Sequence, residues 1–104
     1  MGYRTGVELR YEAFADHQAS EFRVTAGESG TDVPLRLDEV RRLGPSPGAP
    51  RPEPFVLLFS GPAASPLDQA TYRLRHQEIG ELDIFLVPVA YGAAGTIVYE
   101  AIFN

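Results

Sequence analysis

Residues 71–103 hold three runs in which every second residue is apolar, separated by two short breaks that each contain glycine. A period of two is the signature of a strand with unlike faces, and breaks this short join antiparallel neighbours. Thr71 to His76, Leu82 to Tyr91 and Thr96 to Phe103 are therefore expected to form a three-stranded meander, with turns at 77–81 and 92–95. Directly opposed residues share a face, so turn length sets the register. A four-residue turn at 92–95 sets Tyr91 against Thr96, Pro88 against Tyr99 and Leu86 against Ala101. A five-residue turn at 77–81 sets His76 against Leu82, Leu74 against Ile84 and Arg75 against Asp83. One face then gathers Tyr72, Leu74, Ile84, Leu86, Tyr99, Ala101 and Phe103, which is a core face.

The second face is the unusual one. It carries Thr71, Arg73, Arg75, Asp83 and Glu100, but also Phe85, Val87, Val89, Val98 and Ile102. That is too apolar for a face left wholly to water. The preferred reading is that another part of the same chain covers it in a barrel or sandwich. The alternative is a partner subunit, for which Arg73, Phe85, Val87, Val89, Val98 and Ile102 are the candidate interface.

Upstream, Val7, Leu9 and Tyr11 alternate like a short strand, and 1–13 reads as a possible extension that could add to a neighbour's open sheet edge. Phe14 to Ala19 reads as a loop or a single helical turn, and Phe22 to Val24 as a strand. Val33 to Val40 alternates again; its Pro34 belongs at a strand start or edge, since proline cannot donate to a ladder. Residues 44–54 contain five prolines and form an exposed loop. Phe55 to Phe59 (FVLLF) is apolar on both parities, which predicts a strand covered on both faces. The 104 residues make a single domain, because neither side of the proline-rich segment could fold alone. The fold class expected is all-β: a small antiparallel barrel or sandwich of six to seven strands, ending in the meander.

Composition narrows the function classes. The net charge is −5 and all nine basic residues are arginine, a poor basis for binding nucleic acid or an anionic membrane. There is no cysteine, which removes thiol catalysis, thiolate metal sites and disulfides. No run approaches the length of a membrane span and no secretory signal is evident, so the expected location is cytoplasmic or within a released assembly.

Candidate chemistry is sparse. Asp16-His17 lies in a loop, and His76 stands where a strand enters its turn, a position suited to hydrogen bonding a turn carbonyl. No serine sits in a GxSxG context, and a Ser60, His76, Asp83 set has no pattern to support it. Asp38-Glu39 and Glu78, Glu81 and Asp83 occupy strand or turn positions that normally face solvent. Gly27 to Gly30 lacks the helix and lysine of a phosphate loop. Pro47 to Pro50 is a minimal PxxP pattern of the kind that arises by chance in such loops. No catalytic residue, metal ligand or cofactor is expected.

The runs Phe59-Ser60-Gly61-Pro62, Gln69-Ala70-Thr71-Tyr72-Arg73-Leu74, Gly80-Glu81-Leu82, Phe85-Leu86-Val87-Pro88-Val89 and Tyr99-Glu100-Ala101-Ile102-Phe103-Asn104 resemble a bacterial family of uncharacterised small domains, domain of unknown function 6916. Phe14, Phe22-Arg23-Val24 and Leu35, Leu37 and Val40 resemble its first half, so the likeness spans about 14–104. The resemblance implies a β domain with no assigned catalytic residue, and a loose association with phage-tail-like or fibre-like proteins. The expected function is a non-enzymatic structural or assembly module that packs against copies of itself or another protein. The alternative is a small-ligand or glycan binding domain, with its pocket at a barrel mouth near the proline loop and Tyr91.

Overall fold

The computed structural model describes residues 11–26, 30–43 and 54–103. A short helix, α1 (Tyr11–Ala15), precedes six strands: β1 (Glu21–Ala26), β2 (Thr31–Arg42), β3 (Phe55–Pro62), β4 (Ala70–His76), β5 (Gly80–Tyr91) and β6 (Thr96–Phe103). They close into a barrel in the order β1-β2-β3-β6-β5-β4, every pairing antiparallel. Two three-stranded meanders are thus joined at β3–β6 and at β1–β4. The all-β expectation and the C-terminal meander both hold. Residues 44–53 and Val7 and Leu9 lie outside the described residues, as does any strand addition by 1–10.

Alternation explains the core. Phe22, Val24, Leu35, Leu37, Phe55, Leu57, Phe59, Leu74, Leu86 and Tyr99 are fully buried, each on the inward parity of its strand. Six strands enclose so narrow a space that these side chains fill it. Gly61 is needed for that filling: a Cβ there would stand 2.7 Å from Leu35 Cδ2 and 3.4 Å from the Tyr99 ring. Pro34 sits near the start of β2, before the β3 ladder begins at Arg36, so its missing N–H costs little. In the FVLLF run Val56 points outward between Arg41 and Ile102 and is only 4% exposed, while Leu58 on the same parity is half-buried, so the outer side is covered in part.

Each end has its own plug. β3 and β4 are consecutive in sequence yet diametrically placed, so 63–69 must cross the barrel mouth. Leu67 enters there, and its N–H donates to the Tyr99 hydroxyl at 2.9 Å. At the other end lies α1. Tyr11 and Phe14, three residues apart, share a helix face. Phe14 packs 5.9 Å from Phe55 and 5.8 Å from Phe103, whose rings are themselves stacked at 4.7 Å. Tyr11 meets Phe55 edge-on and carries the Arg42 guanidinium over its ring at 4.3 Å. Tyr11 is therefore helical and does not continue a Val7–Tyr11 strand; aromatic packing on Phe55 outweighs the local alternation.

Two registers differ from expectation. The first hairpin turns over 77–79, so His76 pairs with Gly80, Leu74 with Leu82 and Arg73 with Asp83. Gly80 has φ 95°, the left-handed residue that closes a three-residue hairpin loop. The expected Arg75–Asp83 pair is thus replaced by Arg73–Asp83, at 3.0 Å. A two-residue slip leaves every side chain on its original face, so the face assignment survives. At the second turn Gly92 N–H donates to the Thr96 carbonyl, and Tyr91 pairs with Ile97 rather than Thr96. A bulge between Pro88 and Ala90 absorbs the extra residue and restores Pro88 opposite Tyr99.

Phe14→Ala should lower the unfolding free energy by about 3–5 kcal/mol in urea titrations, the usual effect of emptying a buried phenyl site. Tyr91→Ser, at a side chain 86% exposed, should stay within about 0.5 kcal/mol of wild type.

Candidate functional site

Two regions carry features that folding alone does not demand. The first is the outer surface of β5 and β6. Val87 pairs with Glu100, and Phe85 and Ile102 lie two positions along each strand from that pair. Phe85 is 51% exposed, Val89 48% and Ile102 54%, while Val87 and Val98 are half-buried. Among the described residues nothing packs over this face. The expectation that the FVLLF strand covers it is therefore corrected: barrel closure turns only one face of the meander inward, and β3 joins β6 edge to edge; cover by the N-terminal strand falls on 1–10, outside the described residues. Arg73 stands at the margin, held by Asp83. On β2, Arg41 is held by Glu39 at 2.7 Å, and Glu100 adds to the field that raises the Arg41 pKa.

The second region is a half-open groove of about 490 Å³ at the α1 end of the barrel, lined by Ser20, Glu21, Arg23, Arg75, His76, Gln77 and Glu78. His76 is the last inward residue of β4 and only 8% exposed. Its ring lies 4.5 Å from Phe22 and 4.6 Å from His17. Nδ1 accepts the backbone N–H groups of Glu78 at 3.0 Å and Ile79 at 3.1 Å. Nδ1 is thus unprotonated and Nε2 carries the hydrogen. Nε2–H then donates to Ser20 Oγ, 3.0 Å away, and the Ser20 hydroxyl donates onward to the His17 carbonyl. His76 accepts from turn amides where a bond to a turn carbonyl was expected. In this tautomer it is a hydrogen-bond donor to the serine, the reverse of what a base activating a nucleophile must do. Burial first, and then His17, hold the His76 pKa below its ordinary value, with Glu78 acting the other way.

The groove's charged walls are engaged with one another. Arg23 binds Glu21 at 2.7 Å and Asp32 at 2.8 Å, and Arg75 binds Asp32 and the Thr25 hydroxyl. The Arg23 and Arg75 hydrogen bonds to Asp32 pull that carboxyl below the usual range.

Other candidates are dispersed. Asp83 points outward to Arg73, His76 points inward, and Ser60 lies on the outward parity of β3, so those three never meet. Asp38 and Glu39 face Arg36 and Arg41. Tyr91 lies at one end of the barrel, and Arg42, Leu43 and Pro54, which flank the proline-rich segment, lie at the other, so no single mouth joins them. The serine that does meet His76 is Ser20, 56 residues away and without any motif around it. Among the described residues no group of three or more His, Asp or Glu could hold a metal ion, and no helix is long and apolar enough to cross a membrane.

The model of a family described as Domain of unknown function (DUF6916) matches residues 9–103, beginning before the Phe14 boundary that the sequence likeness suggested. No curated protein and no solved structure matches the chain.

Ser20→Ala should cost about 1–3 kcal/mol, because it leaves the His76 Nε2–H without its acceptor. Urea denaturation at neutral pH measures it; Ser20→Thr, which keeps the hydroxyl, should recover part of the loss.

Proposed function

The chain belongs to the DUF6916 family, and we propose that it is a non-enzymatic packing module that associates with a second copy of itself through the outer face of β5 and β6. The observation that carries this reading is the exposed apolar stripe of Phe85, Val89 and Ile102, continued by half-buried Val87 and Val98. A stripe of this kind on a small monomer is the mark of a contact surface. Charge favours a second copy as the occupant. The chain carries −5 overall, while around the stripe Arg73 and Arg41 offset two of the three carboxylates Asp83, Glu39 and Glu100, leaving one net negative charge there. Two-fold symmetry sets a patch against itself, so each arginine can meet its partner's carboxylate and the like-charged bodies meet where they repel least.

The filled interior and the His76 tautomer add support for a non-enzymatic role. A small-ligand reading would have to use the groove beside His76, whose arginines are already paired. Repetition in a fibre-like or tail-like assembly would follow if the contact were head-to-tail, since only that kind fails to close at two copies.

Light scattering coupled to size exclusion tests the reading on the full chain. The expected result is a dimer or larger species at high concentration that Phe85→Asp with Ile102→Asp converts to monomer, with the thermal midpoint little changed. A monomer at every concentration, identical in wild type and variant, would overturn it. Filaments in negative-stain electron microscopy would identify the open, head-to-tail form.

A further inference from the structure

We propose that His17, Ser20, His76 and the Gln77–Ile79 turn form a proton-sensitive latch at the α1 end of the barrel, closed while His76 is neutral and released when it is protonated. The proposal is independent of how the outer face is used.

The geometry admits only one protonation state. Nδ1 faces two backbone N–H donors, those of Glu78 and Ile79, and can satisfy them only with a free lone pair. An added proton there turns two hydrogen bonds into two donor–donor contacts. Rotation of the ring is opposed because Nε2 is tied to Ser20 Oγ and the Phe22 and His17 rings crowd it at 4.5 and 4.6 Å. Relief therefore comes from the turn, from the 17–20 segment, or from both. That segment is held under strain: Ala19 has φ 73°, a left-handed conformation that favours glycine, fixed by its N–H on the Leu37 carbonyl and by Ser20 pairing with Leu37 N–H.

The charged surroundings give a protonated ring little help. His17 faces it from the segment after α1. On β1, Glu21 is engaged by Arg23, and on β4, Arg75 is engaged by Asp32. Among the described residues Glu78 in the turn is the group whose field favours the charged ring. The balance places His76 below its ordinary value of 6.5. The sign follows from proton counting: below that value the open form binds more protons than the closed one. The latch holds fully above about pH 6.5 and weakens as pH falls through the depressed value.

Hydrogen exchange by NMR on the full chain, between roughly pH 7.5 and 5, is the test. After correction for the intrinsic chemistry of exchange, the opening equilibrium at Glu78 and Ile79 should rise by up to about tenfold per pH unit below 6.5. Leu57 and Phe59, in the β3–β6 ladder, should not follow. Imidazole nitrogen shifts of wild type should show the Nε2–H tautomer at neutral pH, which needs no variant to fold. His76→Gln should flatten the pH dependence. Protection at Glu78 and Ile79 that ignores pH, or an Nδ1–H tautomer at neutral pH, would overturn the proposal.

Discussion

The barrel closes at the seam between β1 and β4, where the pairing is shortest: Arg23 opposite Arg75 and Val24 opposite Leu74. Two arginines side by side across a ladder repel, and like charges directly opposed are destabilising. Asp32, from the neighbouring β2, binds both and turns the repulsion into a bridge. All three side chains are substantially exposed, so the bridge is screened by water and salt and is not a large source of stability. Its consequence is positional. Val24 and Leu74 reach the interior only when β1 and β4 lie together, and without that pairing the six strands are an open sheet with two raw edges and a bare apolar face. The inward face becomes a core because the seam holds.

Closure also fixes what the ends must do. Joining β3 to β6 and β1 to β4 places β3 and β4 on opposite walls, so the chain between them has to span the mouth. Leu67 and the Tyr99 hydroxyl turn that crossing into a plug. At the far end the Phe14, Phe55 and Phe103 rings close the bottom, with His76 and Phe22 beside them under the 16–20 segment. Among the described residues the interior is occupied by buried side chains, and the groove beside His76 lies at the rim.

What the sequence made legible was parity. Alternation put Leu74, Ile84, Leu86, Tyr99 and Ala101 on one face, and all five are buried. Parity is blind to even slips, which is why the Arg75–Asp83 pairing looked consistent while Arg73–Asp83 forms: both pairings keep the same faces. The signal that separates them is Gly80, whose left-handed backbone belongs at the end of a three-residue turn rather than inside a five-residue one. The bulge at Val89 left no local mark beyond the neighbouring Pro88. Least legible was the His76 environment, since His17, Ser20 and the turn amides are brought to one ring by barrel closure across more than fifty residues. Composition could only say that a histidine stood near a turn.

The outer apolar stripe follows from the same closure. A strand in a barrel needs one apolar parity, and the other is free to be polar, as Arg73, Arg75 and Asp83 are. Phe85, Val89 and Ile102 sit on or beside that free parity without contributing to the core cluster. Threonine at these positions would also suit a strand and would leave less apolar surface in water, so the core does not require these three side chains. Pro88 and the adjacent bulge point the same way. They blunt the β5 edge where it overruns β4 beyond Ala70, and so discourage edge-to-edge growth of the sheet. An edge protected in this way beside a face left apolar is what the proposed association would require: face against face, with side chains rather than backbone making the join.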